Sequence, residues 1–279
     1  MDAFPLRPGA FRQNLPCAMP NWHQVEIPMP RFAANLSLLF TELPYPQRFG
    51  AAARAGFRAV EILFPYDLAP ETTRRALEDN GLELVLINAP PPAAAGDRPG
   101  YAAVPGGEGR FRADLRRVLD CAEILRPGLI HLMAGYEKGE QAAETFVRNL
   151  QWAADLAPRQ RFTIEPLNPV SQPGYFLDDY DLARDILKRV ARPNVGLQYD
   201  SFHAQMILGD ALSVWDRFGT GTFHVQIGAA PDRSEPGNGP TDFRALFQAI
   251  DASGYDGWVS AEYTPSTART EASLKWMTL

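Results

Sequence analysis

The chain has 279 residues, of which 46% are apolar and 22% charged, so it can bury a sizeable core and lacks the composition of a disordered chain. Its formal net charge of −6 gives no basic surface for a phosphate backbone, which argues against nucleic acid as a partner. No segment approaches the run of about 18 apolar residues that a membrane-spanning helix needs, so no membrane partner is expected.

The first 28 residues contain prolines and aromatic residues but no continuous apolar segment, so they are not predicted to be a signal peptide. We expect an N-terminal extension without order over 1–28 and a single catalytic domain over 29–279. The two cysteines, Cys17 and Cys121, are far apart and in no metal-ligand spacing. This fits a reducing compartment and predicts a cytoplasmic protein without disulfides.

From residue 31 onward, short β-rich runs alternate with longer helical patterns, an order that is typical of βα units and a parallel sheet. The predicted strands cover 31–36, 59–63, 82–88, 129–133, 161–165, 195–199, 222–227 and 258–262. The predicted helices cover 47–55, 70–80, 110–125, 141–156, 178–190 and 241–252, with a further helical segment within 203–219.

Residues that end or begin helices support these boundaries. Gly56 and Gly81 follow two of the predicted helices, where glycine is favoured after the C-cap. Asp178 and Asp242 stand where N-caps are expected. Eight strands with interleaved helices predict a (β/α)8 TIM barrel in the α/β class. An open doubly wound sheet is the structural alternative, but no glycine-rich GxGxxG turn follows the first strand.

Four consecutive predicted strands carry an oxygen ligand at or near their C-terminal ends: Glu165, Asp200, Gln226 and Glu262. In a barrel these ends meet at one mouth. Three carboxylates cannot share such a site unless a cation neutralises them or their pKa values rise. Oxygen ligands suit Mg²⁺ or Mn²⁺, so the sequence predicts one divalent metal ion bound by these four residues.

Other polar residues stand close to the same mouth. His203 follows Asp200 by three residues, and Arg233 lies in the loop after strand seven, where its guanidinium could pair with a substrate carboxylate. We also expect Asn88 and Arg98, at or after the end of strand three, to contact a small-molecule substrate, with Glu61 a weaker candidate of the same kind. His224 shares the inward face of Gln226 and is interpreted as part of the core or as support for the ligands.

The chain from about residue 30 to its C-terminus resembles the hydroxypyruvate isomerase family, within the xylose isomerase-like TIM barrel superfamily. The stretches that carry the resemblance are RFAANLSLLF, GFRAVEILFPYD, TIEPLN, LQYDSFH, HVQI, RSEPGNG and GYDGWVSAEYTP. The resemblance implies an intramolecular oxidoreductase of carbohydrate metabolism that converts hydroxypyruvate to tartronate semialdehyde, or acts on a 2-oxo-tetronate type of acid. It also implies that Glu165 and Glu262 bind the metal and transfer the proton, while His203 and Arg233 contact the substrate.

Several alternatives stay open at this point. A ketose 3-epimerase uses a similar barrel, although its metal set usually has histidine where this chain has Gln226. Further hypotheses are a dehydratase of cyclic polyols, a DNA-repair endonuclease and a metal-binding barrel without catalysis. Within the isomerase hypothesis, a hydride shift could replace proton transfer. Four histidines and a negative net charge weigh against the endonuclease. The sequence does not decide which metal is bound or whether the chain forms a homo-oligomer.

Overall fold

The computed structural model describes residues 30–89 and 100–278. The predicted extension over 1–28 and the predicted substrate residue Arg98 therefore lie outside the described residues. None of the helices in these two ranges is long and apolar enough to cross a membrane.

Strands and helices alternate along the described chain. The strands are β1 (Arg31–Asn35), β2 (Ala59–Ile62), β3 (Glu83–Asn88), β4 (Leu129–His131), β5 (Arg161–Ile164), β6 (Val195–Asp200), β7 (Thr222–Ile227) and β8 (Trp258–Ala261). The helices are α1 (Tyr45–Arg54), α2 (Pro70–Asp79), α3 (Glu108–Leu125), α4 (Glu140–Leu156), α5 (Tyr180–Val190), α6 (Ser201–Leu208), α7 (Ala211–Phe218) and α8 (Phe243–Ala252). A 3₁₀ helix, Thr270–Thr278, follows β8.

The eight strands form a closed barrel in the order β1 to β8, and β8 pairs with β1. Every pair is parallel, so all strand C-termini open at one mouth. The predicted (β/α)8 barrel is confirmed. The register sets neighbours at that mouth: Asn88 pairs with His131, and Asp200 pairs with Gln226.

Two kinds of packing hold the barrel. Between the sheet and the helices lies a large apolar core that includes Phe49, Phe146 and Phe162, all fully buried. Burial of such side chains is the main favourable term in folding. Inside the barrel, toward the C-terminal ends of the strands, buried side chains are polar instead, among them Asn35 and Glu61. Because a buried polar group is costly without a partner, this polar interior needs an internal hydrogen-bond network.

The C-terminal 3₁₀ helix packs against the start of the barrel. The ring of Trp276 lies 4.8 Å from that of Phe32 on β1, and its Nε1 donates to Tyr263 Oη at 3.0 Å. Thr270 Oγ1 accepts a hydrogen bond from the backbone N–H of Phe40 at 2.6 Å. These contacts join the last residues of the chain to the loop after β1.

The predicted helix ends agree with the structure to within two residues, and two predicted features need correction. The N-cap of α5 is Asp179, whose carboxylate accepts from Leu182 N at 2.8 Å, so the prediction of Asp178 was wrong by one residue. The helical segment within 203–219 is two helices, because Gly209 adopts a φ of 78° and Asp210 caps α7. The predicted N-cap Asp242 and the left-handed glycines Gly56 and Gly81 are confirmed.

Candidate active site

The four predicted metal ligands all lie at the C-terminal mouth of the barrel. Glu165 follows β5 directly, Asp200 ends β6, Gln226 is the penultimate residue of β7 and Glu262 follows β8. All four are buried. The alternation of side chains along a strand turns these positions toward the barrel axis, which brings residues nearly a hundred positions apart into one site.

Glu165 and Gln226 are joined by the amide of Gln198, which lies one layer deeper on β6. Gln198 Nε2 donates to Glu165 Oε2 at 2.9 Å and to Gln226 Oε1 at 2.7 Å. Its own Oε1 accepts from Thr163 Oγ1 at 2.8 Å. Both hydrogens of one amide nitrogen are therefore used to hold two oxygens of the candidate ligand set side by side.

Asp200 and Glu262 are joined by Arg233. Arg233 Nη2 lies 3.0 Å from Asp200 Oδ2 and 3.0 Å from Glu262 Oε2. The other oxygen of Asp200 caps α6 by accepting from Phe202 N at 2.9 Å. A carboxylate that caps a helix and pairs with a guanidinium has little freedom to rotate, so its orientation at the mouth is fixed.

Burial and mutual repulsion raise the proton affinity of the three carboxylates. Burial first, and then the charges of Glu262 and Asp200, raise the pKa of Glu165 well above its ordinary value. Burial also raises the pKa of Glu262 well above its ordinary value, against the opposing effect of Arg233. Burial raises the pKa of Asp200 to about 6. Such a set favours either bound protons or an additional cation.

A cation fits this donor set. Glu165, Asp200 and His203 each offer one ligand atom, and these atoms lie within 4.8 Å of one another, so the group could hold a metal ion. Glu165 Oε1 is buried and has no hydrogen-bond partner among the described residues. An unpaired carboxylate oxygen within an acidic cluster is chemically suited to a divalent ion.

His203 has a defined proton arrangement. The backbone N–H of Asn168 donates to His203 Nδ1 at 2.8 Å, so Nδ1 carries a lone pair. Burial, followed by the charge of Arg233, lowers the pKa of His203 well below its ordinary value, which keeps the ring neutral. In a neutral imidazole the proton is then on Nε2, which lies 3.7 Å from Asp200 Oδ2. His203 therefore presents a donor to the site.

Beneath the ligands, Glu61 is the acceptor at the centre of the polar barrel interior. Its Oε1 accepts from Gln226 Nε2 at 2.8 Å and from Asn35 Nδ2 at 2.6 Å, and its Oε2 lies 2.7 Å from His224 Nε2. Because the Glu61 carboxylate takes the amide nitrogen of Gln226, the Gln226 carbonyl oxygen faces Gln198 Nε2, which also holds Glu165. Glu61 thus holds the predicted ligand Gln226 from below, and His224 pairs with Glu61.

Arg233 is held in place by an unusual loop backbone. Its φ is 52°, in the left-handed region that residues with a side chain seldom occupy. The loop is closed by a bridge between Ala229 and Ser234, and Thr264 N donates to Arg233 O at 2.9 Å. Strain of this kind is found at sites where the surrounding contacts impose a position on one side chain.

On the other side of the mouth, β3 and β4 end in Asn88 and His131, both buried. His131 Nδ1 lies 3.6 Å from Glu165 Oε2, and burial lowers the pKa of His131 to about 3. Sequence reasoning predicted Asn88 as a substrate contact and missed His131. The predicted strand ran to residue 133, which placed this histidine in mid-strand, whereas the strand ends on it.

Known proteins of similar sequence extend over most of this chain. The family model described as xylose isomerase-like TIM barrel matches residues 49–279. A 2-oxo-tetronate isomerase of Cupriavidus necator is 43% identical over 256 residues, which are 89% of this chain and 98% of that protein. The hydroxypyruvate isomerase of Escherichia coli (strain K12) is 38% identical over 256 residues, with the same two coverages.

Solved structures share the fold. A crystal structure of "AP endonuclease, family 2" from Brucella melitensis superposes with a TM-score of 0.85 at 42% identity and covers 90% of this chain and 98% of that chain. A D-allulose 3-epimerase from Methylomonas sp. superposes with a TM-score of 0.69 at 19% identity, covering 90% of each chain. At that identity the second likeness shows the fold alone.

Proposed function

The chain belongs to the xylose isomerase-like TIM barrel family, and from this premise we propose that it is a metal-dependent isomerase of small 2-oxo acids that works by proton transfer. That it is an isomerase follows from curated relatives at 35–43% identity, which are named hydroxypyruvate or 2-oxo-tetronate isomerases. Its substrate would accordingly be hydroxypyruvate or the four-carbon 2-oxo-tetronate.

The observation that carries this proposal is the convergence of four strand-end ligands at one mouth. Glu165 and Gln226 share one amide nitrogen, and Asp200 and Glu262 share one guanidinium nitrogen. We propose that these four residues would hold one divalent ion, Mg²⁺ or Mn²⁺, because every donor among them is an oxygen. When bound, such an ion supplies Lewis-acid stabilisation of the negative charge that develops on the substrate oxygens.

Glu165 and Glu262 are the proposed proton-transfer pair. Isomerisation of a 2-oxo acid removes a proton from C3 and returns one to C2, through an enediolate, while the hydroxyl proton passes from the C3 oxygen to the C2 oxygen. One of the two carboxylates takes the proton from C3, and the other returns one to C2. The raised pKa of each glutamate suits a group that must hold a proton during the reaction. These two residues directly follow β5 and β8, and the proposed ligands of β6 and β7 lie between these strands in the barrel order.

His203 and Arg233 are proposed to bind the substrate's oxygens. The Nε2–H of His203 donates to an oxygen that becomes negative in the enediolate, which a neutral imidazole does without transferring its own proton. Arg233 Nη2 is taken by carboxylates, but its Nε is buried without a partner among the described residues. That edge of the guanidinium would pair with the substrate carboxylate.

The test is turnover of metal-loaded protein in D2O with hydroxypyruvate, 2-oxo-tetronate and ketoses. Proton transfer predicts turnover of a 2-oxo acid with solvent deuterium at C2 of the product, whereas a hydride shift predicts none. Epimerisation of a ketose without turnover of either acid would assign the chain to the epimerases. Cleavage of DNA containing an abasic site, measured in parallel, would support the endonuclease reading.

Variants of the two glutamates test their roles directly. Glu165→Gln and Glu262→Gln should each lower kcat by roughly 10²–10⁴-fold, the range for loss of a general acid or base. Glutamine keeps the size and a metal-type oxygen, so circular dichroism and melting should show an intact fold. A near-normal kcat in either variant would remove that residue from the mechanism.

A further inference from the structure

Buried polar atoms without partners lie on the side of the mouth formed by β3 and β4. Asn88 Oδ1 and both ring nitrogens of His131 have no hydrogen-bond partner within residues 30–89 and 100–278. Asn88 is 7% exposed and His131 1%. Glu165 Oε2 lies 3.6 Å from His131 Nδ1, which is longer than a hydrogen bond. Buried polar atoms are nearly always hydrogen-bonded, so these atoms call for a partner that a bound molecule could supply.

These atoms belong to one small cluster. Asn88 and His131 are register partners on adjacent parallel strands, so their side chains project from neighbouring positions of the barrel wall. Tyr66 Oη donates to the backbone carbonyl of Asn88 and not to its side-chain oxygen. The cluster offers an amide oxygen as acceptor and a neutral imidazole with one donor and one acceptor. An alcohol, which both donates and accepts, matches this set.

The closed order of the barrel relates this cluster to Arg233. In an eight-stranded barrel, β3 is four strands away from β7 and therefore diametrically opposite. Arg233 follows β7, and Asn88 ends β3. A 2-oxo acid whose carboxylate pairs with Arg233, and whose C2 and C3 lie between Glu165 and Glu262, directs its far end at Asn88 and His131.

We propose that Asn88 and His131 form a subsite for the terminal hydroxyl of a four-carbon 2-oxo acid and so make that acid the preferred substrate. The inference rests on the proposed function. Hydroxypyruvate ends at C3, the reacting carbon, whereas 2-oxo-tetronate carries a further CH2OH group on C3. That hydroxyl donates to Asn88 Oδ1 and accepts from the His131 ring N–H. Only the longer acid carries a hydroxyl that can pair with Asn88 Oδ1 and this ring N–H.

The experiment compares kcat/KM for 2-oxo-tetronate and hydroxypyruvate on the metal-loaded full chain. The wild type should prefer the four-carbon acid by about tenfold or more, because a site built to hydrogen-bond a hydroxyl discriminates against an analogue that lacks it. His131→Phe and Asn88→Leu, which keep similar volume without the polar atoms, should each lower this preference by about tenfold. His131→Asn, which keeps a donor and an acceptor, should retain more of the preference than His131→Phe.

Arg233→Gln is the matched control. Both acids carry the carboxylate that Arg233 binds, so this variant should raise KM for both and leave their ratio within about twofold. A wild-type preference for hydroxypyruvate, or an unchanged ratio in both apolar variants, would overturn the subsite while leaving the isomerase proposal in place. No turnover of either acid by the wild type would overturn the isomerase proposal, and the subsite with it.

Discussion

The proton on His203 decides what this side chain can do. Its Nδ1 accepts a hydrogen bond from the backbone N–H of Asn168, a group that can only donate. Asn168 Nδ2 also lies 2.8 Å from the same nitrogen. His203 falls within the group that could hold a metal ion, yet a neutral ring with Nδ1 occupied has no lone pair left on Nε2. At the scale of one residue, the structure thus favours a hydrogen-bond donor over a metal ligand.

Nitrogen-15 NMR of the imidazoles tests this assignment. The chain has only four histidines, so substitution of His23, His131 and His224 one at a time assigns the signals. We expect His203 to be in the Nε2–H form, with Nδ1 as acceptor, both in EDTA and with saturating Mg²⁺. An Nδ1–H form, or loss of the Nε2 proton when the ion is added, would contradict the donor role and return His203 to the ligand set.

At the scale of the element, the strand ends explain how much could be predicted from sequence. The order of strands and helices follows from runs of β-branched and apolar residues, and those runs are local. Each predicted ligand, such as Glu165 or Asp200, lies at or next to the end of its own strand, so one strand at a time suffices to find it. Asn168 was missed because it reaches from the loop after β5 to His203 on α6. Gln198 was missed because its role is a contact between strands. That contact depends on register, which no single strand encodes.

Helix boundaries show the same limit within one turn of chain. The residues Asp178 and Asp179 are equally good N-caps by type, and only the backbone dihedrals decide between them. Asp179 has extended φ and ψ of −147° and 140° and caps α5, whereas Asp178 Oδ2 lies 2.6 Å from Lys138 Nζ in a partly exposed ion pair. Sequence pattern places such a boundary to within a residue or two.

Paired substitutions at these two positions test the assignment. Asp179→Ala should destabilise the protein by about 1 kcal/mol, because the N–H of Leu182 loses its acceptor. Asp178→Ala is the matched control and should cost about 0–0.5 kcal/mol, since exposed ion pairs contribute little. Urea unfolding of both variants measures the difference. An equal or larger loss in Asp178→Ala would contradict the placement of the cap.

At the scale of the whole molecule, the barrel mouth ties folding stability to pH. The raised pKa values of Glu165 and Glu262 mean that each adds stability that is complete below its unfolded pKa of 4.5 and is lost as pH rises through the folded pKa. Asp200 acts in the same direction between 3.8 and about 6. His131 acts oppositely, since its folded pKa of about 3 costs stability as pH falls from 6.5. Above pH 6.5 the two glutamates therefore dominate among these groups.

Thermal melts between pH 6.5 and 8.5 test this linkage and the metal site together. In EDTA the melting temperature should fall as pH rises. The free energy of unfolding decreases by at most about 1.4 kcal/mol per pH unit for each glutamate that titrates. Saturating Mg²⁺ or Mn²⁺ should reduce the fall, because a bound cation favours the ionised carboxylates. Glu165→Gln should flatten the EDTA curve, while Asp120→Asn, at an exposed acid on α3, should leave its slope unchanged. A melting temperature in EDTA that is constant or rises over this range would show that the carboxylates at the mouth are already ionised without a cation, and the electrostatic case for the metal would fail.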